Sequence, residues 1–354
     1  YKRAKLAWYT VDNSVFYTSI GNRRPSNLTE EDLENHYERI VYPQEIHQQQ
    51  DRTMITTNET ILDIAYFPSE RGPYNYNPNL DADGLLPNPE ENWGGITNHI
   101  NNEVDFDKTN IEFIEFWMMD PFIGFADGNP KGKVLDGRFN EHNKTGGSLI
   151  FNLGSVSEDY MKDGRHAFEN GLPADGDLTN ASATEWGYIT EEQFLTNQFE
   201  NSQGSRANQD VGLDGLRNDL EAAYFQPYID QLNVAGLARE EILTDPSGDN
   251  FQYYLDDAYD QKNAKVVERY KNYNGQEGNS PVTSSDFSEG NSPAPDNEDI
   301  SRDNTVSGLE EYYEYKIDLR PGNLEVGKEN IVDQVVGKDG EATWYLFRIP
   351  IKNP

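Results

Sequence analysis

The chain has no cysteine, which excludes disulfides, thiolate metal sites and cysteine nucleophiles. It is also poor in positive charge. Only 29 Lys and Arg stand against 63 Asp and Glu, a net charge of −34 over 354 residues. Phosphate backbones would be repelled at every approach, so nucleic acid is excluded as a partner. The same charge argues against an anionic membrane surface as a direct partner. No apolar run approaches the roughly 20 residues of a membrane-spanning helix, and no signal-peptide pattern opens the chain. Histidine is scarce: His36, His47, His99, His142 and His166 are scattered, with no HExxH-like pair. A catalytic zinc site is therefore not expected. There is no G-x-S-x-G nucleophile elbow. The Gly-rich run Gly124–Val134 lacks the P-loop spacing and carries Val134 where a Ser or Thr would hold magnesium.

What is present is acid and aromatic. The 21 Tyr, 16 Phe and 5 Trp make up 12% of the chain, too much ring surface for a disordered acidic polymer. The length suits a sizeable core in one or two domains. The acidity favours solubility and bound cations, and most of the carboxylates read as a solvated surface.

Along the chain, Lys5–Thr10, Ser14–Thr18, Thr60–Phe67, Ile111–Met119 and Ser148–Leu153 read as strands, with a helix over Thr29–Ile40 capped by Thr29. Ser69–Trp93 is a Gly/Pro/Asn-rich loop. From about Ser157 the text turns helical or turn-like, with helical spacing over Glu191–Glu200, Gly215–Leu232 and Asn250–Tyr273 and a capping box at Thr190 and Gln193. An exposed loop follows over Gly275–Pro295. Strands return at Tyr312–Leu319 and Thr343–Ile351, both with period-two alternation. Tyr313, Tyr315, Ile317 and Leu319 share one face, as do Tyr345, Phe347, Ile349 and Ile351. The expected class is mainly β with a helical insertion: an antiparallel β-sandwich of the galactose-binding or jelly-roll type from residues 1–155 and 306–354, interrupted by a helical and loop insertion over 156–305.

The best candidate for chemistry is Asp299–Glu310, DISRDNTVSGLE. Hard cations take oxygen ligands, and an EF-hand loop supplies them at fixed positions. Asp299, Ser301, Asp303, the Thr305 carbonyl and Glu310 fall on positions 1, 3, 5, 7 and 12, with Ser307 able to hold a water at position 9. Asn304 stands where Gly is usual, and Asn tolerates the left-handed turn better than other side chains. Pro293 and Pro295 remove the entering helix, so a dockerin-like loop fits better than a paired EF-hand. The expected ligand is Ca2+; the competing reading is an acidic turn whose carboxylates accept backbone amides. A weaker second loop, Asn79–Glu90, places Asn79, Asp81, Asp83 and Glu90 at positions 1, 3, 5 and 12. Asp245–Asp249 and Asp175–Asp177 read as turns.

No acid pair has the setting of a glycosidase; Glu112 and Glu115 fall on opposite faces of a strand. The aromatics Trp93, Trp117, Trp186, Tyr74 and Tyr76 allow a sugar-stacking platform, with Trp117 equally suited to the core.

Several segments, spread over most of the chain, carry a family resemblance: RAKLAWYTVDN (Arg3–Asn13), ERGPYNYNPNL (Glu70–Leu80), NWGGI (Asn92–Ile96), Ile111–Pro173 and NEDISRDNTVSGLEEYYEY (Asn297–Tyr315). The chain resembles the SprA/Sov family, outer-membrane translocons of the Bacteroidetes type IX secretion and gliding-motility system. The resemblance implies a soluble, non-enzymatic, extracytoplasmic domain excised from a giant β-barrel protein. It implies as partners the rest of the barrel, a PorV-like outer-membrane protein, a plug protein and the secreted cargo. The cell surface, where calcium is available, is the expected side. A surface glycan-binding module is the alternative, and a two-carboxylate secreted hydrolase a third.

Overall fold

The computed structural model describes residues 1–17, 24–49, 58–100, 105–167, 169–191, 198–273, 294–337 and 342–351. Their strands are β1 (Ala4–Tyr9), β2 (Asp63–Arg71), β3 (Phe113–Met119), β4 (Gly147–Ser155), β5 (Ala181–Ala183), β6 (Tyr188–Thr190), β7 (Glu311–Leu319), β8 (Ile331–Val336) and β9 (Thr343–Pro350). All pairing between them is antiparallel: β1 with β2, β3–β9–β8, β4 with β7, and β5 with β6. The described residues form no closed barrel.

Alternation decides where these strands bury. On β9, Tyr345, Phe347 and Ile349 share one apolar cluster with Tyr315 and Ile317 of β7, Ile331 of β8, and the partly buried Ile114 and Phe116 of β3 and Leu149 and Phe151 of β4. The β3–β9–β8 sheet and the β4–β7 pair therefore share one apolar cluster. Phe116 stacks on Phe347 with ring centroids 5.0 Å apart and leans on Phe151 at 5.6 Å. The opposite face of β9 is buried only at its start. Trp344 sits with Val41 and Ile46, and its indole N–H donates to Glu45 Oε1 at 2.9 Å.

The helices are short: α1 (Asn13–Phe16), α2 (Pro43–Ile46), α3 (Ser205–Gln209), α4 (Asn218–Tyr224), α5 (Gln226–Ala235), α6 (Glu240–Thr244), α7 (Asp257–Gln261) and α8 (Val266–Tyr270). Where a strand was expected over Ser14–Thr18, α1 forms, because the Asp12 carboxylate caps the amides of Ser14 and Val15. The helix expected over Thr29–Ile40 shrinks to a 3-10 turn at Asp32–Glu34. Thr29 does not cap that turn, which starts after Glu31, but its Oγ1 accepts from Asp32 N while Asp32 Oδ2 accepts from Thr29 N. Asn35 is then pulled extended, and its side-chain amide donates to Lys133 O at 2.8 Å. The Gly215–Leu232 run divides at Phe225 into α4 and α5, with Pro227 in the first turn of the second helix. Proline has no N–H and clashes with the carbonyl one turn back, so it starts a helix rather than continuing one. The Asn250–Tyr273 run divides where Asn263 turns left-handed at φ 57°. Ser157–Leu172 resolves into turns and a 3-10 turn at Glu169–Gly171. Most of Glu191–Glu200, with Gln193 of the proposed capping box, and most of Gly275–Pro295 lie outside the described residues.

Two further apolar clusters mix the segments 1–155 and 156–305. One joins Ala4, Tyr74, Tyr76, Leu80 and Leu86 to Met161, Leu213, Leu216, Phe225, Tyr228 and Leu232. The other joins Ala7, Tyr9 and Phe16 to Tyr254, Val266 and Tyr270. The helices of residues 205–270 thus pack on β1 and the loop after β2, while α2 packs against β9.

Candidate functional site: acidic turns

Asp299–Glu310 is an irregular segment entering β7, with no helix among the described residues next to it. Asp299 is fully buried. Its Oδ1 accepts from Ser301 Oγ and from Asp303 N, both at 3.1 Å, and its Oδ2 accepts from Asn304 N at 2.7 Å. Asp303 Oδ1 accepts from Thr305 N at 2.9 Å and Thr305 Oγ1 at 2.6 Å, and these bonds hold the Asp303 carboxyl below its usual range. Asn304 is left-handed at φ 66°, as its place in the loop requires. The structure thus gathers Asp299, Ser301, Asp303 and Thr305 into one turn, while Glu310 is exposed at the mouth of β7. A residue outside the motif braces it: Glu158 accepts Ser301 N at 2.8 Å through Oε1 and Ser307 N at 3.1 Å through Oε2. Beside it, Glu298 is buried, accepts Met161 N and Ala167 N, and is pushed up to about 8 by burial.

In the second loop Asp81 Oδ1 accepts from Asp83 N and Leu85 N, both at 2.8 Å, and Gly84 supplies the left-handed turn at φ 76°. Asn79, Asp81, Asp83 and Glu90 are all solvent-exposed. Arg239 approaches Asp83 Oδ1 at 3.6 Å.

Among the described residues, one set of three acidic or histidine side chains brings its ligand atoms within 4.8 Å of one another, and it belongs to neither loop: Glu221, Asp245 and Asp249. Asp245–Asp249 was expected to be a plain turn. It is a turn, with Asp245 Oδ1 accepting from Gly248 N at 2.8 Å and Asp249 N at 3.2 Å. Sequence reasoning missed that α4 delivers Glu221 onto it, with Ser247 N donating to Glu221 Oε2 at 3.3 Å. Behind them Ser247 Oγ bonds Asp214 Oδ2 and lies 3.0 Å from Tyr76 Oη. Burial pushes Asp214 up to about 7 and Glu221 up to about 8, and raises Asp249 strongly, with Asp214 and Glu221 adding to it. The D-x-S-x-D spacing shared with Asp299–Asp303 was the available signal. The third carboxylate, distant in sequence, left none.

The aromatic platform loses two members. Tyr74 and Tyr76 are buried, and Tyr76 stacks on Phe225 at 4.4 Å. Trp186 leans on Tyr76, and Trp117 packs beside Val41 and Trp344. Trp93 alone of the five is half exposed, at 51%, with the Arg3 guanidinium 5.7 Å from its ring.

Residues 227–354 match the family SprA_N, described as a motility related/secretion protein. This part of the chain is similar to the SprA family. The SprA_N match runs from α5 through β9 and takes in the Asp299–Glu310 turn, Asp245 and Asp249; Glu221 lies just ahead of it. No curated protein matches the chain. None of the described helices is long and apolar enough to cross a membrane.

Proposed function

We propose that this chain is a non-enzymatic, extracytoplasmic domain of an outer-membrane translocon of the type IX secretion and gliding-motility system. It shapes or caps the pore, or docks partners of the PorV-like and plug classes together with passing cargo. The observation that carries this reading is the SprA_N match over residues 227–354. Two features support a scaffolding role. The β3–β9–β8 and β4–β7 sheets sharing one apolar cluster, in the manner of a small sandwich, and the interleaved aromatic clusters favour a stiff body. The net charge of −34 favours a well-solvated surface. Calcium at Asp299, Ser301, Asp303, Thr305 and Glu310 would stiffen the entry to β7; Asn79, Asp81, Asp83 and Glu90 are the weaker second place for it.

An introduced cysteine would be the only one in this chain, and labelling compared with the unsubstituted parent tests location. Val234 is 92% and Tyr313 70% exposed. Val234→Cys or Tyr313→Cys in the parent protein should react with a membrane-impermeant maleimide on intact cells if the domain is at the surface. Labelling only after the outer membrane is opened would place it in the periplasm. Labelling only after the inner membrane is breached would contradict the proposal.

A further inference from the structure

We propose that Glu221, Asp245 and Asp249, with the Ser247–Asp214 pair behind them, form a buried site for a divalent cation of the calcium class. The geometry comes first. Two oxygens bound to one calcium at 2.3–2.6 Å can be at most about 5 Å apart, and one oxygen from each of the three carboxylates lies within 4.8 Å of the others. Three separate pieces of chain make this arrangement: α4 brings Glu221, the turn after α6 brings Asp245 and Asp249, and Gly212 lets Asp249 in. A Cβ on Gly212 would sit 2.2 Å from Asp249 Oδ2.

A cluster of acids alone says little, since carboxylates often gather at turns. The second observation is what these carboxylates lack. Glu221 is fully buried and Asp249 is 4% exposed. Glu221 Oε1 and both Asp249 oxygens are sealed from solvent without a formed hydrogen bond; the Tyr74 hydroxyl is Asp249's neighbouring donor. Buried carboxylate oxygens short of donors are costly, and a cation supplies what one tyrosine hydroxyl does not. The nearby positive groups do not fill that role. Arg71 spends donors on the carbonyls of Asn75, Asp245 and Pro246, and Lys5 is half-buried, with desolvation disfavouring its charged form.

The donors are all hard oxygens, with no histidine or cysteine among them, which selects calcium or magnesium over zinc or copper. The amides of residues 248, 249 and 250 fold onto the Asp245 carboxylate, as those of 303 and 304 fold onto Asp299. Both are D-x-S-x-D turns whose serine amide donates to a distant glutamate, but among the described residues only the first brings an oxygen of each of three carboxylates within 4.8 Å of the others. A cleft of about 40 Å³ is lined by Gly248, Asp249 and Asn250, with Lys5 and Lys271 on its wall. The site ties α4 to the turn after α6, so its role is to lock the helical half of the fold.

The test uses the whole chain, stripped with EDTA and titrated with calcium chloride alone, by calorimetry and thermal melting. Three proteins are compared: native, Glu221→Gln/Asp249→Asn, and Asp299→Ala/Glu310→Gln. The native chain should take up an equivalent of calcium that Glu221→Gln/Asp249→Asn lacks and Asp299→Ala/Glu310→Gln keeps. At a hundredfold excess over Kd, that ion should raise the folding equilibrium constant about a hundredfold. Equal uptake by the native chain and Glu221→Gln/Asp249→Asn overturns the proposal, and so does no uptake by the native chain. Should the variant fail to fold, native crystals grown with manganese decide: an anomalous peak among the three carboxylates supports the site, and its absence overturns it.

Discussion

Tyr9 on β1 and Tyr270 at the end of α8 stack face to face, with ring centroids 4.2 Å apart and planes 6° from parallel. Both are buried, and the Tyr270 hydroxyl accepts the Asp12 amide at 3.1 Å. Stacked pairs are worth about 0.5–1.5 kcal/mol beyond the area they bury. A double-mutant cycle of Tyr9→Leu and Tyr270→Leu, read by denaturant melts, should show a coupling of that size. Purely additive effects would mean the stack contributes nothing specific.

The same contact bears on domain organisation. Ala4, Tyr74 and Tyr76 complete one helical cluster, and Ala7 and Tyr9 another. Residues 156–305 expressed alone lose these partners and should give no cooperative melt, whereas the whole chain should. A sharp transition for the excised segment would make it a self-sufficient insertion.

Stability should fall as pH rises through neutrality. Glu38 is buried, and burial pushes its carboxyl up to about 8, with Asp32 and Asp63 adding to the shift. The unfolded chain releases this proton near the ordinary value of 4.5. Between 4.5 and about 8 the folded state therefore holds more protons than the unfolded one, and stability declines with pH across that window. Asp63, pushed up to about 7, acts in the same direction. The Glu38 contribution is on the order of a few kcal/mol. Glu38→Gln, melted from pH 5 to 8, should give a flatter profile than the native chain; an unchanged slope would refute the assignment.

For the Asp299–Glu310 turn, calcium should raise the melting temperature by an increment that Asp299→Ala/Glu310→Gln loses. Asp299→Ala should also cost about 1–3 kcal/mol without calcium, because Ser301, Asp303 and Asn304 lose their buried acceptor. A calcium increment unchanged in the double variant would leave the turn as backbone bracing only.

The strands were legible because a half-buried strand writes its environment at every second residue. β3, β4, β7 and β9 fall within two residues of where alternation puts them. β8 escaped because Ile331 is its one fully buried side chain. The helices were overextended because helical spacing is blind to local breaks such as Pro227 and Asn263. At the acidic turns, Asn304's left-handed geometry and Asp299's anchoring role could be read from residue type. Glu158 and Glu221 could not, since each acts on a turn far along the chain.

The most direct test of the secretion role is an export assay in cells carrying the intact parent protein or the same protein lacking residues 1–351. With the truncated parent still present in the outer membrane, cargo export and gliding should be lost. Export and gliding at native rates without the domain would contradict the account.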